Sequence, residues 1–176
     1  MKFIFLGSQG SGKSTQAKLL AERLKLPCIE MGQLFRDKSK SANQDGPDIK
    51  RALDVGNLVP DSLAIKTLHE RLLRPDCNKG YILDGYPRNY AQLEGLDKDI
   101  DRVFYVKVSD RESSRRLLSR GRADDNLDVL TRRLNIYHKE TEPLLGYFRE
   151  QGILEEIDGE RPVELIAEDI AKRLAK

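Results

Sequence analysis

The chain has little of what redox or metal chemistry requires. Among its 176 residues there are two cysteines, Cys28 and Cys77, two histidines, His69 and His138, and no tryptophan. The cysteines follow no metal-ligand spacing and the histidines stand alone, which reads as reduced structural thiols and no zinc centre. Long apolar runs are missing too. Only four apolar residues precede Gly7 after Lys2, too few for a signal peptide, and no later run approaches the ~20 residues of a membrane span. The expectation is a cytoplasmic protein with no membrane partner. Charge of one sign is also lacking: 31 Lys and Arg stand against 29 Asp and Glu, a net +2. That balance argues against a nucleic-acid partner, so any strong anion site has to come from local placement.

Repeats, low-complexity tracts and linkers are absent as well, so residues 1–176 read as one domain able to bury its own core. Short β-branched or aromatic runs recur at 2–6, 27–30, 80–83, 102–108 and 153–157. Between them lie apolar residues at helical spacing, such as Leu19, Leu20, Ala21 and Leu24. Leu63, Ile65, Leu68 and Leu72 form a second set, and Val163, Ile166, Ile170 and Leu174 a third. Strands alternating with helices predict an α/β protein whose parallel sheet is covered on both faces. The polar stretch 37–48, "DKSKSANQDGPD", reads as a mobile connection between two short helices.

What is present begins at Gly7. Residues 7–14, "GSQGSGKS", satisfy G-x-x-x-x-G-K-[ST] between a strand-like and a helix-like run. Glycines let backbone N–H groups converge on a phosphate, and the following helix adds its positive N-terminal end. Lys13 is suited to the β- and γ-phosphates and Ser14 to a Mg²⁺ shell. No D-x-x-G occurs, and "NKGY" at 78–81 lacks the aspartate of a GTPase. Nor is there a Leu-Ser-Gly-Gly signature of a transporter ATPase. Asp84 ends the strand-like "YILD", where it either holds Mg²⁺ water opposite the loop or caps the next helix. Arg88 follows a Gly-Tyr-Pro turn near the same phosphates, and Gln92, four residues on, has an amide able to read a base edge. Arg116, Arg120, Arg122 and Arg133 are either a solvated face or the guanidinium set of a phosphoryl-transfer site, and the phosphate loop favours the second. No residue stands out as a general base. A phosphate monoester needs none, being largely a dianion at neutral pH, so a nucleoside monophosphate is the expected acceptor.

These residues resemble the adenylate kinase family. "GSQGSGKSTQA", "GQLFR", "GNLVPD", "YILDGYPRNYAQ", "RGRADDN" and "RRLNIYHKETEPL" follow in family order from residue 3 to about 159. Bacterial members with a short, zinc-free lid are the nearest in pattern. The resemblance implies a P-loop nucleoside monophosphate kinase fold with a five-stranded parallel sheet flanked by helices. It also implies two mobile flaps, at 30–59 for the monophosphate and at 119–125 as a short lid loop. Gly10, Ser11, Gly12, Lys13, Ser14 and Thr15 would hold ATP, with Arg116, Arg120 and Gly159. AMP would meet Met31, Arg36, Asn57, Leu58, Val59, Gly85, Tyr86, Pro87, Arg88 and Gln92, with Arg122 and Arg133 bridging to the transferred phosphoryl group. Lys13, Arg88, Arg120, Arg122 and Arg133 would be catalytic, and Ser14 and Asp84 would hold Mg²⁺, partly through water. The implied protein is a monomer acting on ATP, AMP and ADP. Gln9, Ser14 and Met31 replace the family's usual Pro, Gly and Thr. Met31 keeps UMP, CMP or several monophosphates open as acceptors, and a non-catalytic nucleotide-binding module is the alternative of another class.

Overall fold

A computed structural model describes residues 1–41, 44–120 and 127–174. Its centre is a five-stranded parallel sheet built from β1 (Lys2–Leu6), β2 (Cys28–Glu30), β3 (Tyr81–Asp84), β4 (Arg102–Lys107) and β5 (Leu154–Asp158), in the order β2-β3-β1-β4-β5. Each expected run became a strand, the first with its bounds unchanged and the others within one residue at each end. Successive side chains point to opposite faces, and both faces are apolar. Phe3, Phe5, Phe104 and Ile157 pack on α1 (Lys13–Leu24) and α8 (Val163–Leu174), through Ala17, Leu20, Ile166 and Ile170. Ile4, Leu6, Leu83 and Tyr105 face the other way, toward α4 (Asp61–Leu72) and α7 (Leu144–Glu150), through Leu68, Leu144 and Phe148.

The other helices are α2 (Met31–Lys40), α3 (Gly46–Asp54), α5 (Asp110–Arg120) and α6 (Leu127–Ile136). A single π-turn, Tyr137–Thr141, follows α6. The connection expected at 37–48 is shorter than the sequence suggests. α2 continues to Lys40, supported by a Gln33–Asp37 bond one turn apart and by the Lys38–Glu70 ion pair to α4. Pro47 opens α3, where a missing N–H loses no helical bond. In α4 the most buried positions are Ala64, Thr67 and Leu68, with Ile65 and Leu72 packed beside them at the core's edge. No helix among the described residues is long and apolar enough to cross a membrane.

The strand order decides where a site can form. β1 lies at the centre, and the chain leaves it toward β2 and β3 on one side and β4 and β5 on the other. Such reversals leave a crevice beyond the carboxyl ends of the strands. The register puts Glu30 beside Asp84, and Asp84 beside Phe5 just ahead of the glycine loop.

Candidate active site

That crevice is a cleft of about 500 Å³. At one end lies the loop between β1 and α1. Gly10 has φ 82°, and a Cβ there would stand 2.6 Å from the Ser113 carbonyl, so only glycine fits. α1 starts without a side-chain cap, leaving its positive end directed at the cleft. Gly10, Gly12, Lys13, Ser14 and Thr15 line the cleft, while Ser11 is buried behind them. The buried Lys13 ammonium donates to the Ser8 carbonyl at 3.2 Å. Arg116 ties this loop to the far strand. Its guanidinium donates to the carbonyls of Ser11 (3.2 Å) and Gly159 (3.0 Å) and pairs with Glu112 (2.6 Å). The two arginines beside Glu112, Arg115 and Arg116, hold its carboxyl at about 2. Gly159 lies outside the cleft wall, packed so tightly that a Cβ would meet Val106 at 2.6 Å.

The middle of the cleft is charged. Asp84 is buried at the tip of β3, accepts a hydrogen bond from the Ser14 hydroxyl on Oδ2, and keeps Oδ1 buried with no protein partner. A hydroxyl and a buried carboxylate oxygen awaiting a partner suit a hydrated divalent cation. Among the described residues no group of three His, Cys, Asp or Glu is placed to hold a metal directly. Arg88 is half-buried between Asp84 and Arg133. Burial pulls its pKa below the ordinary arginine value and Arg133 adds to that, while Asp84 and Tyr137 oppose it. Two guanidinium groups whose charges act on each other favour an anion beside them.

At the other end Arg36, Asn57, Leu58, Val59, Gly85, Tyr86 and Gln92 line the wall. The Arg36 guanidinium donates to the Gln33 amide oxygen. Arg88 is fixed by its own backbone: its N–H donates to Gln92 Oε1 at 2.8 Å, and its carbonyl accepts from the Thr141 hydroxyl at 2.7 Å. Its Nε also donates to the Gly85 carbonyl at 2.8 Å. The segment Tyr90–Gly95 is a 3-10 helix, so Arg88 and Gln92 meet through this bond and not through an α-helical face. Pro87, on the cis Tyr86–Pro87 peptide, is buried beneath the wall. Met31 stands apart from the other acceptor-side residues. It is 0% exposed in the core, with Ala64 and Phe35 forming the cleft surface in this region. Arg122 and lid residues 121–125 lie outside the described residues, as does the side chain of Arg120.

The structure adds residues to which the sequence reading gave no role. Glu30, 28% exposed at the side chain, lines the cleft beside Asp84 and pairs with Lys18 at 3.1 Å. Thr141 lies in "YHKET", where the π-turn aims its hydroxyl at Arg88. Asp61, in "GNLVPD", bonds the Gln92 side chain at 2.8 Å. Only strand register and chain closure bring these groups in.

Comparison with known proteins agrees with this geometry. Residues 5–153 match the family model described as adenylate kinase. The chain is 43% identical to adenylate kinase 1 of Synechocystis, with 96% of this chain and 94% of that protein covered. It is 44% identical to the adenylate kinase of Mycobacterium tuberculosis and 43% to that of Mycobacterium ulcerans, covering 86% and 84% of this chain and 87% and 86% of theirs. A match through most of the length, on a cleft with a phosphate loop at one end and arginines at the other, leaves one conclusion: the chain belongs to the adenylate kinase family.

Proposed function

We propose that the protein catalyses reversible phosphoryl transfer from ATP to AMP, giving two ADP. The reading is carried by one observation: a single cleft joins the glycine loop at one end to Arg36, Arg88 and Gln92 at the other, with Arg133 and Asp84 between. In the forward direction an oxygen of the AMP phosphate forms a bond to the γ-phosphorus of ATP. The bond from that phosphorus to the β–γ bridging oxygen breaks, and ADP leaves. The acceptor is already largely a dianion at neutral pH, so no side chain has to remove a proton. The barrier is charge repulsion between two phosphate chains, together with the entropy of bringing them into line.

Each part of the cleft has a task in this reaction. Lys13 and the loop N–H groups neutralise the donor phosphates. Arg88 and Arg133, with Arg122 and Arg120 from the lid region, surround the transferring group, and Arg36 with Arg88 holds the acceptor phosphate. Asp84 and Ser14 orient the water shell of Mg²⁺, which when bound spreads the negative charge of the β- and γ-phosphates. Arg116 and the turn at Gly159 support the ATP end. Residues 30–59 and 119–125 act as flaps whose closure excludes water and so protects ATP from hydrolysis. The packing of α2 and α3 mainly on each other supports the first flap as a unit. In this reading the protein works as a monomer in the cytoplasm, where its small-molecule substrates are met.

The test is a coupled assay of ATP with AMP, CMP, UMP, GMP and dTMP. AMP should give the highest kcat/KM, and preference for a pyrimidine would overturn the adenine assignment. Arg88→Ala should lower turnover about 1000-fold with the fold intact.

A further inference from the structure

We propose that Asp61 sets the base preference of the acceptor end by fixing which way the Gln92 carboxamide faces. This rests on the reading that the acceptor base lies against Gln92. Gln92 is only 2% exposed, and each of its polar groups that meets the protein is assigned a partner. Its backbone N–H donates to Asn89 Oδ1 at 3.1 Å, and its backbone carbonyl accepts from the Tyr86 hydroxyl at 2.6 Å. The side-chain oxygen accepts from the Arg88 N–H at 2.8 Å. The side-chain nitrogen donates to Asp61 Oδ1 at 2.8 Å, and the same carboxylate oxygen accepts from Asn89 Nδ2 at 2.9 Å.

The polarity of this network follows from its ends. A backbone N–H can only donate, and a carboxylate can only accept. Turning the amide over would set oxygen against carboxylate and NH₂ against N–H, replacing two hydrogen bonds by two repulsions. Asp61 therefore holds the nitrogen on its own side. A primary amide nitrogen carries two hydrogens, and Asp61 takes one. The other is the donor that Gln92, as part of the cleft wall, offers to a base.

A fixed donor selects bases by protonation. Adenine N1 and cytosine N3 carry lone pairs and accept. Guanine and hypoxanthine carry N1–H, and uracil and thymine carry N3–H, so each would face the donor with another donor. Hypoxanthine is the sharpest probe, because it shares the purine outline of adenine and differs at the ring edge. A site built around a hydrogen bond rejects the analogue that cannot make it far more strongly than a pocket rejects a change of size. Asp61 does not line the cleft. It acts through Gln92 and is a positioning residue.

The experiment measures kcat/KM for AMP and for inosine monophosphate, with ATP as donor, in the wild type, Asp61→Ala and Asp61→Asn. The wild type should prefer AMP by about 100-fold or more. Asp61→Ala should narrow that ratio about tenfold, through a higher KM for AMP, with KM for ATP unchanged. Asp61→Asn should restore the ratio, since its carboxamide oxygen can accept from both Gln92 and Asn89. If alanine unfolds the start of α4, Asp61→Ser keeps a helix-starting residue whose oxygen ends short of Gln92, and should narrow the ratio in the same way. A wild-type ratio retained by Asp61→Ala or Asp61→Ser, with both substrates falling together, would overturn the inference and leave the AMP reading standing. A wild type that uses both monophosphates equally would overturn both.

Discussion

Ser14 on the first turn of α1 donates its hydroxyl proton to Asp84 at the tip of β3, and the second carboxylate oxygen of Asp84 stays buried without a protein partner. This pair joins the glycine loop to the central strands at the point where the donor phosphates would lie. Asp84→Asn keeps the size of the side chain and removes its charge. It should lower activity about 10–100-fold and raise the Mg²⁺ concentration needed for half-maximal rate. A Mg²⁺ titration of initial rates checks this, and an unchanged midpoint would remove Asp84 from the metal shell.

Arg116 bridges the Ser11 and Gly159 carbonyls and is clamped by Glu112. Arg116→Ala removes two charge-assisted bonds to the backbone carbonyls of Ser11 and Gly159, both buried residues. A stability loss of about 2 kcal/mol is expected, together with a raised KM for ATP and a smaller effect on AMP. Denaturant melts and separate KM measurements for the two nucleotides test it. Equal effects on both nucleotides would mean that the arginine is only structural.

His138, in the π-turn after α6, ties that turn to the start of α5. One ring nitrogen meets Glu142 at 2.6 Å and the other meets Asp110, the first residue of α5, at 3.0 Å, with Tyr137 against the ring edge. The hydrogen bond to Glu142 raises its pKa above the ordinary value; burial opposes this, and Asp110 adds to the rise. A raised folded-state pKa means that the imidazolium stabilises the fold fully below the unfolded pKa of about 6.5. That contribution is lost as pH rises through the folded pKa. The stability gap between wild type and His138→Gln should therefore be wider at pH 6 than at pH 8.5, and a gap that does not change with pH would count against the ion pair.

Burial, with Asp84 and Glu30 nearby, pushes the Cys28 thiol up to about 12. It should stay protonated at pH 8 and react with a disulfide reagent only when the chain unfolds. Cys77, whose pKa is also raised by burial, should behave alike. Rapid modification of the native protein at Cys28 would contradict the assigned burial.

How much of this was legible depends on the reach of the forces involved. The five strands and the start of α1 were readable because short β-branched runs and a glycine-rich turn bias the backbone within a few residues. The end of α2 was not, because the ion pair from Lys38 to Glu70 extends a helix through a polar stretch that composition marks as loop. On α4, Leu68, Ile65 and Leu72 pack on the core as their spacing suggests, while the burial of Ala64 and Thr67 beside them was not marked. Met31 illustrates a further limit: no local feature of the sequence shows that packing turns its side chain into the core.

The sequence by itself determined the phosphate loop. Lys13, Ser14 and the glycines act through covalent geometry and one helix end, all within a dozen residues. Tertiary structure alone decided the contacts that fix Gln92, Arg88 and Asp84 in the cleft. Asp61 reaches Gln92 across 31 residues, Thr141 reaches Arg88 across 53, and Glu30 comes to stand beside Asp84 by strand register. Such contacts arise where the whole chain finds a packing that buries both faces of the sheet and satisfies its buried polar groups, a condition no short stretch of sequence contains.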